Sequence, residues 1–313
     1  MYKKFCIISV ICLILCSLFT VLASASSQTD DAGEQEEVTE FTNFTDGVII
    51  DDGEGNRFEI LSMGETENGY TIVYTLGSSN HDGRPGHWMT HFLVNGFYCN
   101  EITDSRQDEF DINAPEKYFF ISKEWLDTLG ITEIKSLKFD MDLGTYNNYS
   151  SFDPSYTGKF AIYTGEKDDT PFEPVIPEDA RTIYEDDNVK IILLDGLTTY
   201  YEGNLNVQEM NIIYLRKSDA RLRYTIKEVQ FGELSAEFRS WDPNHWSYSL
   251  VENGDGMYLK HLWTPYGSKS EWKDVDLSAG KLILEIYDHD TYESTDIPID
   301  IDLTFPEYVR TLD

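Results

Sequence analysis

The densest group of residues able to do chemistry is Leu284–Leu303, "LEIYDHDTYESTDIPIDIDL", which sets five aspartates and two glutamates among isoleucines. Calcium takes about six to eight oxygens, often from closely spaced loop carboxylates. Asp288, Asp290, Glu293 and Asp296 are the set it would use here. Two features oppose that reading. The glycine that an EF-hand-like loop needs for its sharp turn is absent, and the corresponding stretch of the first half, "GTYNNYSSFDPSYTG", offers Asp153 as its only carboxylate. Side chains alternate between the two faces of a strand, so Ile297, Ile299, Ile301 and Leu303 share one face and Asp296, Pro298, Asp300 and Asp302 the other. These acids are expected to solvate an exposed sheet face, with Pro298 marking a strand start or an edge. No metal or cofactor is expected, calcium being the alternative.

Three further groups have chemistry-bearing spacing. His81, His87 and His91 fall within "HDGRPGHWMTH". The His-x-x-x-His interval suits zinc on a helix, but on a strand it separates the side chains by about 13 Å. Gly83, Pro85 and Gly86 favour a loop entering a strand. The segments "SWDPNHWSYS" and "HLWTPYGSKSEW" gather Trp241, Trp246, Trp263, Tyr266 and Trp272. Flat rings flanked by Asp, Asn and His are what sugar recognition uses, so these five are the candidate ligand-binding residues; the competing role is to cap the ends of a β-sandwich. Cys6, Cys12 and Cys16 lie in the N-terminal apolar stretch, which leaves Cys99 in a strand-like run, where a buried thiol is expected rather than a nucleophile. The sequence carries no serine elbow, phosphate-binding glycine loop or zinc-protease motif. The expectation is a protein that is not an enzyme.

The elements that must position these residues are strands. From Val48 the chain breaks into short runs of alternating polarity, rich in β-branched and aromatic residues and bounded by Gly, Asn, Asp and Pro. One helical turn is expected at "SKEWLDTLG", where Ser122 caps and Gly130 stops it. The order of runs then repeats: "GNRFEILS" is answered by "DDNVKIILL", "YTIVYT" by "MNIIYL", "THFLVNGF" by "IKEVQFGE", "SLKFDMDL" by "KLILEIYD" and "KFAIYT" by "PIDIDLT". The interval is roughly 130 to 145 residues, the size of a domain and too long for a solenoid period. Between the copies, "GEKDDTPFEPVIPEDA" reads as a linker of limited flexibility.

At the N-terminus, Lys3 and Lys4 precede an apolar run, Phe5 to Leu22, and Ala23-Ser24-Ala25 supplies the small-x-small pattern of a signal peptidase site. Ser26 to about Asp46 is acidic and poor in large apolar residues. The whole chain carries a formal charge of −33 at pH 7, a field that repels nucleic acid and anionic membranes.

The segments "HFLVNGFYCNEI" and "INAPEKYFFISKEWLDTLGITEIKSLKFDMDL" carry an Asn-Gly turn, a Pro-x-Lys extension, a short helix ending in Leu-Gly-Ile and a strand pair. This combination resembles a module of exported clostridial and related Gram-positive proteins, which implies an immunoglobulin-like sandwich and transfers no catalytic residue. The second copy departs from it, with Phe231-Gly232 at the turn and "HLWTPYG" in place of the helix. The expected fold is therefore all-β: two tandem immunoglobulin-like antiparallel β-sandwiches joined by a Pro- and acid-rich linker, with one short helix in the first domain. The expected organisation is a signal peptide over 1–25, a disordered spacer over 26–46, sandwiches over 47–165 and 182–306, and the linker over 166–181. The expected function is a non-catalytic binding or scaffold protein, secreted or at the bacterial cell surface, whose partner is a protein or glycan of the cell envelope. A carbohydrate-binding module in the second half and an unrecognised hydrolase are the alternatives. Neither nucleic acid nor a membrane span after signal removal is expected.

Overall fold

The computed structural model describes residues 48–66, 69–79, 84–99, 102–104, 116–147, 151–168, 170–201, 204–237, 248–249, 254–263, 275–305 and 309–312. The first half contributes strands β1 (Val48–Asp51), β2 (Asn56–Thr66), β3 (Gly69–Ser78), β4 (Arg84–Val94), β5 (Phe97–Tyr98), β6 (Ile102–Asp104) and β7 (Glu116–Ser122). Helix α1 (Lys123–Leu129) and strands β8 (Ser136–Asn147) and β9 (Ser151–Tyr163) complete it. The second half contributes β10 (Arg181–Glu185), β11 (Val189–Tyr201), β12 (Asn204–Arg216), β13 (Leu222–Phe231), β14 (Leu234–Glu237), β15 (Tyr248–Ser249), β16 (Gly256–Trp263), β17 (Gly280–Asp288), β18 (Glu293–Ile301) and β19 (Val309–Leu312). The fold is all-β apart from α1, as the alternating runs require. No helix among the described residues is long and apolar enough to cross a membrane.

Three sheets result. The first runs β1-β2-β3-β7-β6, the second β10-β11-β12-β16-β5-β4-β8-β9 with β19 also beside β11, and the third β14-β13-β17-β18 with β15 beside β13. Read by halves, the order β1-β2-β3-β7 recurs as β10-β11-β12-β16, and β5-β4-β8-β9 recurs as β14-β13-β17-β18. The repeat seen in the sequence is thus a repeat of strand order. Among the described residues pairing is antiparallel except for β11–β19 and β16–β5. The β16–β5 junction joins the halves into one long sheet.

Each half closes its own core from the inward side of the strand alternation. In the first, Phe58, Ile60, Ile72 and Phe119 face Phe92, Val94, Phe139 and Ile162, with Phe92 and Phe139 stacked at 5.3 Å. In the second, Ile191, Met210, Ile212 and Met257 face Ile226, Val229, Leu282 and Ile299. Each such side chain withdrawn from water contributes about 1.5–3 kcal/mol. The two ends of the long sheet are covered on opposite faces. Phe97 belongs to the first core while its neighbour Tyr98 packs on the second. Ile192, Ile213 and Tyr258, on the side of their strands away from the third sheet, join the first core.

The helix forms where its caps place it. Ser122 Oγ accepts the Trp125 N–H, Glu124 lies in the first turn, and Gly130 takes the left-handed conformation at φ 72°. Trp125, Leu126 and Leu129 are buried, and Lys260 of β16 pairs with Glu124 at 2.8 Å. The proline-rich connection lies on the first half: Val175 N–H donates to Leu129 O, and Phe172 meets Phe97 edge-on at 5.5 Å.

Candidate functional site

The seam is built on a tight turn. Asn95 and Gly96 both have positive φ, 51° and 87°, as a two-residue hairpin turn requires. The Asn95 amide accepts the Lys135 and Ser136 N–H groups and donates to Glu133 O, while Gly96 O accepts the Asp255 N–H at 2.9 Å. One turn therefore holds the α1–β8 connection and the entry to β16 together. Asp255 is tied in further by its ion pair with Arg216 at 3.2 Å.

On the long sheet beside this seam, the outward positions of β4, β8 and β9 carry an aromatic and polar surface. Trp88 is 59% exposed, although its neighbour His87 is buried. Its cross-strand partner is Asp142, whose own partner on β9 is Thr157, and the Thr157 hydroxyl donates to the Asp142 carboxylate at 2.6 Å. Towards the turn, a bulge between Thr90 and Leu93 puts His91 at φ 53°, with its Nδ1 3.0 Å from Asp140 Oδ2. Asp140 lies opposite Lys159. The arrangement is an indole plane flanked by two carboxylates, an imidazole, a hydroxyl and an ammonium. It can stack on an apolar ring face while offering hydrogen bonds in the plane of the sheet.

The histidine cluster is not assembled. His87 sits in the first core, 5.4 Å from the Phe58 ring and 5.1 Å from the Tyr74 ring, whereas His91 is on the outer surface. Strand alternation together with the bulge separates them, and His81 lies outside the described residues. The carboxylates of the opening stretch are spread along a hairpin. Asp288 Oδ1 accepts the Asp290 and Thr291 N–H groups, and these bonds, the one from Asp290 foremost, hold its carboxyl below the usual carboxylate range. Asp290 pairs with Arg221 at 3.3 Å, Asp296 with Lys227 at 2.9 Å, and Glu293 is exposed opposite Asp288. Among the described residues no three His, Cys, Asp or Glu side chains are gathered so as to hold a metal ion. Asp300 is exposed between buried Ile299 and Ile301, and β18, with Pro298, forms an edge of the third sheet. Cys99 is buried.

Of the aromatic candidates, Trp241, Trp246, Tyr266 and Trp272 lie outside the described residues. Trp263 ends β16 with its backbone opposite Gln208, and its side chain lies outside them too. Trp88 was missed because Pro85 and Gly86 suggested a loop. The signal was present in the His87-Trp88 alternation once β4 is extended back to Arg84. Comparison of the chain with protein-family models and with curated proteins finds no match.

Proposed function

We propose that the chain is an exported, non-catalytic binding and scaffold protein of a bacterial cell surface, built from two immunoglobulin-like halves, and that the Trp88 surface meets its ligand. The leader-like N-terminus and the resemblance of the first half to exported Gram-positive modules support the compartment. The observation that carries the binding role is Trp88. A large indole left 59% exposed on an ordered strand forfeits roughly 1–2 kcal/mol of burial that a binding partner would recover. The shared sheet supports the scaffold role, because it fixes that surface relative to the second half.

The test is retention of a component of native cell-envelope extract on the immobilised chain, wild type against Trp88→Ala, with circular dichroism to check folding. A component held by the wild type and lost, or weakened at least tenfold, in the variant is the expected result. Equal retention by both removes Trp88 from the interface. A second reading, carbohydrate binding, is favoured by the Asp142, Thr157 and His91 groups that frame the indole. It predicts Trp88-dependent binding on a glycan array.

A further inference from the structure

Trp88 does not stand alone on the long sheet. Two residues earlier on β4, and so on the same face, is Gly86. A Cβ on Gly86 would overlap the Tyr146 ring and press on Phe152, so the glycine lets both rings lie down on the strand at that point. Tyr146 on β8 and Phe152 on β9 are cross-strand partners with ring centroids 5.1 Å apart, and each is half-buried. The face therefore carries two aromatic platforms in line along β4, the Trp88 indole and the Tyr146–Phe152 pair. A step of two residues along a strand is about 6–7 Å, more than the width of one pyranose ring.

The groups around the indole decide what fits there. Asp142 and Thr157 lie in the row of Trp88, and His91, Asp140 and Lys159 in the row towards the turn. The Thr157 hydroxyl takes up one Asp142 oxygen, and Lys159 forms no ion pair among the described residues. The centre of a protein–protein interface is depleted of charged groups, because each must be stripped of water. A sugar instead lays an apolar ring face on the indole and directs its hydroxyls to such acceptors and donors. The two carboxylates beside the ring and the formal charge of −33 disfavour a sugar that bears carboxylate or phosphate.

We propose that the Trp88 surface takes a neutral oligosaccharide of at least two sugar residues, laid along β4 with one ring on Trp88 and the next on Tyr146 and Phe152. This rests on the reading that Trp88 meets the ligand, and adds the chemical class of that ligand and its second contact. Gly86 is a positioning residue, since it acts by leaving room for the Tyr146 ring.

The experiment is titration calorimetry of the full chain with neutral glucan, mannan, galactan and chitin series, each running from the monosaccharide to long oligosaccharides. The wild type should bind at least one series, and its longer members at least tenfold more tightly than the monosaccharide. Trp88→Ala should lose binding at every length. Tyr146→Ala and Gly86→Ala should lose the gain with length, whereas Tyr146→Phe, which keeps the ring, should retain it. Circular dichroism checks that each variant is folded, and the length dependence of the wild type needs no variant. The proposal is overturned if no series binds, if chains bind no more tightly than the monosaccharide, or if Tyr146→Ala keeps the full gain. An envelope component that the wild type retains, Trp88→Ala loses and protease destroys would overturn this proposal and leave the Trp88 reading standing. Oligosaccharide binding undiminished in Trp88→Ala would overturn both.

Discussion

Substituting Gly254 by valine strikes the seam between the halves without touching either core. Gly254 sits at φ 76°, and a Cβ there would overlap the Gly96 carbonyl oxygen and press on Leu93. A β-branched residue in the left-handed region costs about 2 kcal/mol. The Asp255 N–H to Gly96 O bond cannot survive the overlap, which costs about 1 kcal/mol more. Displacing the start of β16 from β5 also loosens the Gly256–Phe97 pairing. A loss of roughly 3–4 kcal/mol follows, concentrated at the junction. The assay is urea unfolding monitored by circular dichroism, paired with hydrogen exchange that reports the halves separately. The wild type should lose protection in both halves together. Gly254→Val should lower the unfolding midpoint and lose exchange protection first at β5 and the start of β16, while Ile192, Ile213 and Tyr258 keep the halves packed together. A variant that loses less than about 1 kcal/mol and keeps its protection at β5 and β16 would refute the claim that this turn holds the junction.

Two other perturbations test the local chemistry. Ser122→Ala removes the acceptor for the Trp125 N–H and should cost about 1 kcal/mol in thermal unfolding, while Ser122→Asp should retain most of the wild-type stability. The Asp52 carboxylate is pushed up by partial burial, but its hydrogen bonds from Ser155, the Asn56 side chain and the Glu54 and Asn56 N–H groups outweigh this and hold it below the usual range. Its contribution is therefore present above the unfolded pKa and lost as the pH falls through that value towards the folded one, so Asp52→Asn should flatten the fall in melting temperature between about pH 5 and pH 3.

What could be read in the sequence was local in origin. Ile299 and Ile301 turn inward and Asp300 outward because the strand period is two, and no distant contact is needed to predict it. The helix was equally legible, since Ser122 and Gly130 specify both ends. The seam was not. It joins Phe97-Tyr98 to Gly256-Met257, two residues on each side, and so short a parallel pairing leaves no periodic trace; the glycines of "NGDG" were its only mark. Trp88 was hidden by Pro85, which strand interiors exclude because it lacks an N–H. Here β5 accompanies β4 only at Leu93 and Val94, so Pro85 lies at an end of β4 that β5 does not reach. Likewise β19, beyond residue 306, is held by parallel pairing with a strand more than one hundred residues earlier, which no local pattern announces.

The two halves share a strand order but differ in what their equivalent parts hold. In the first, the Asn-Gly turn reaches outward: its side chain fixes the α1–β8 connection and its carbonyl fixes Asp255. In the second, the turn at the same place in the strand order is Gly232-Glu233, both exposed, closed by the Phe231–Leu234 pair as the first is closed by Val94–Phe97. The first turn serves a junction and the second faces solvent, although the strands around them match. The same division sets the geometry of the exposed surfaces. Trp88 lies on the face of the long sheet that the third sheet covers further along, and the partly exposed Leu61 and Tyr118 lie on the far side of the first sheet, with the first core between them. Two surfaces held back to back by one packed core cannot reorient independently.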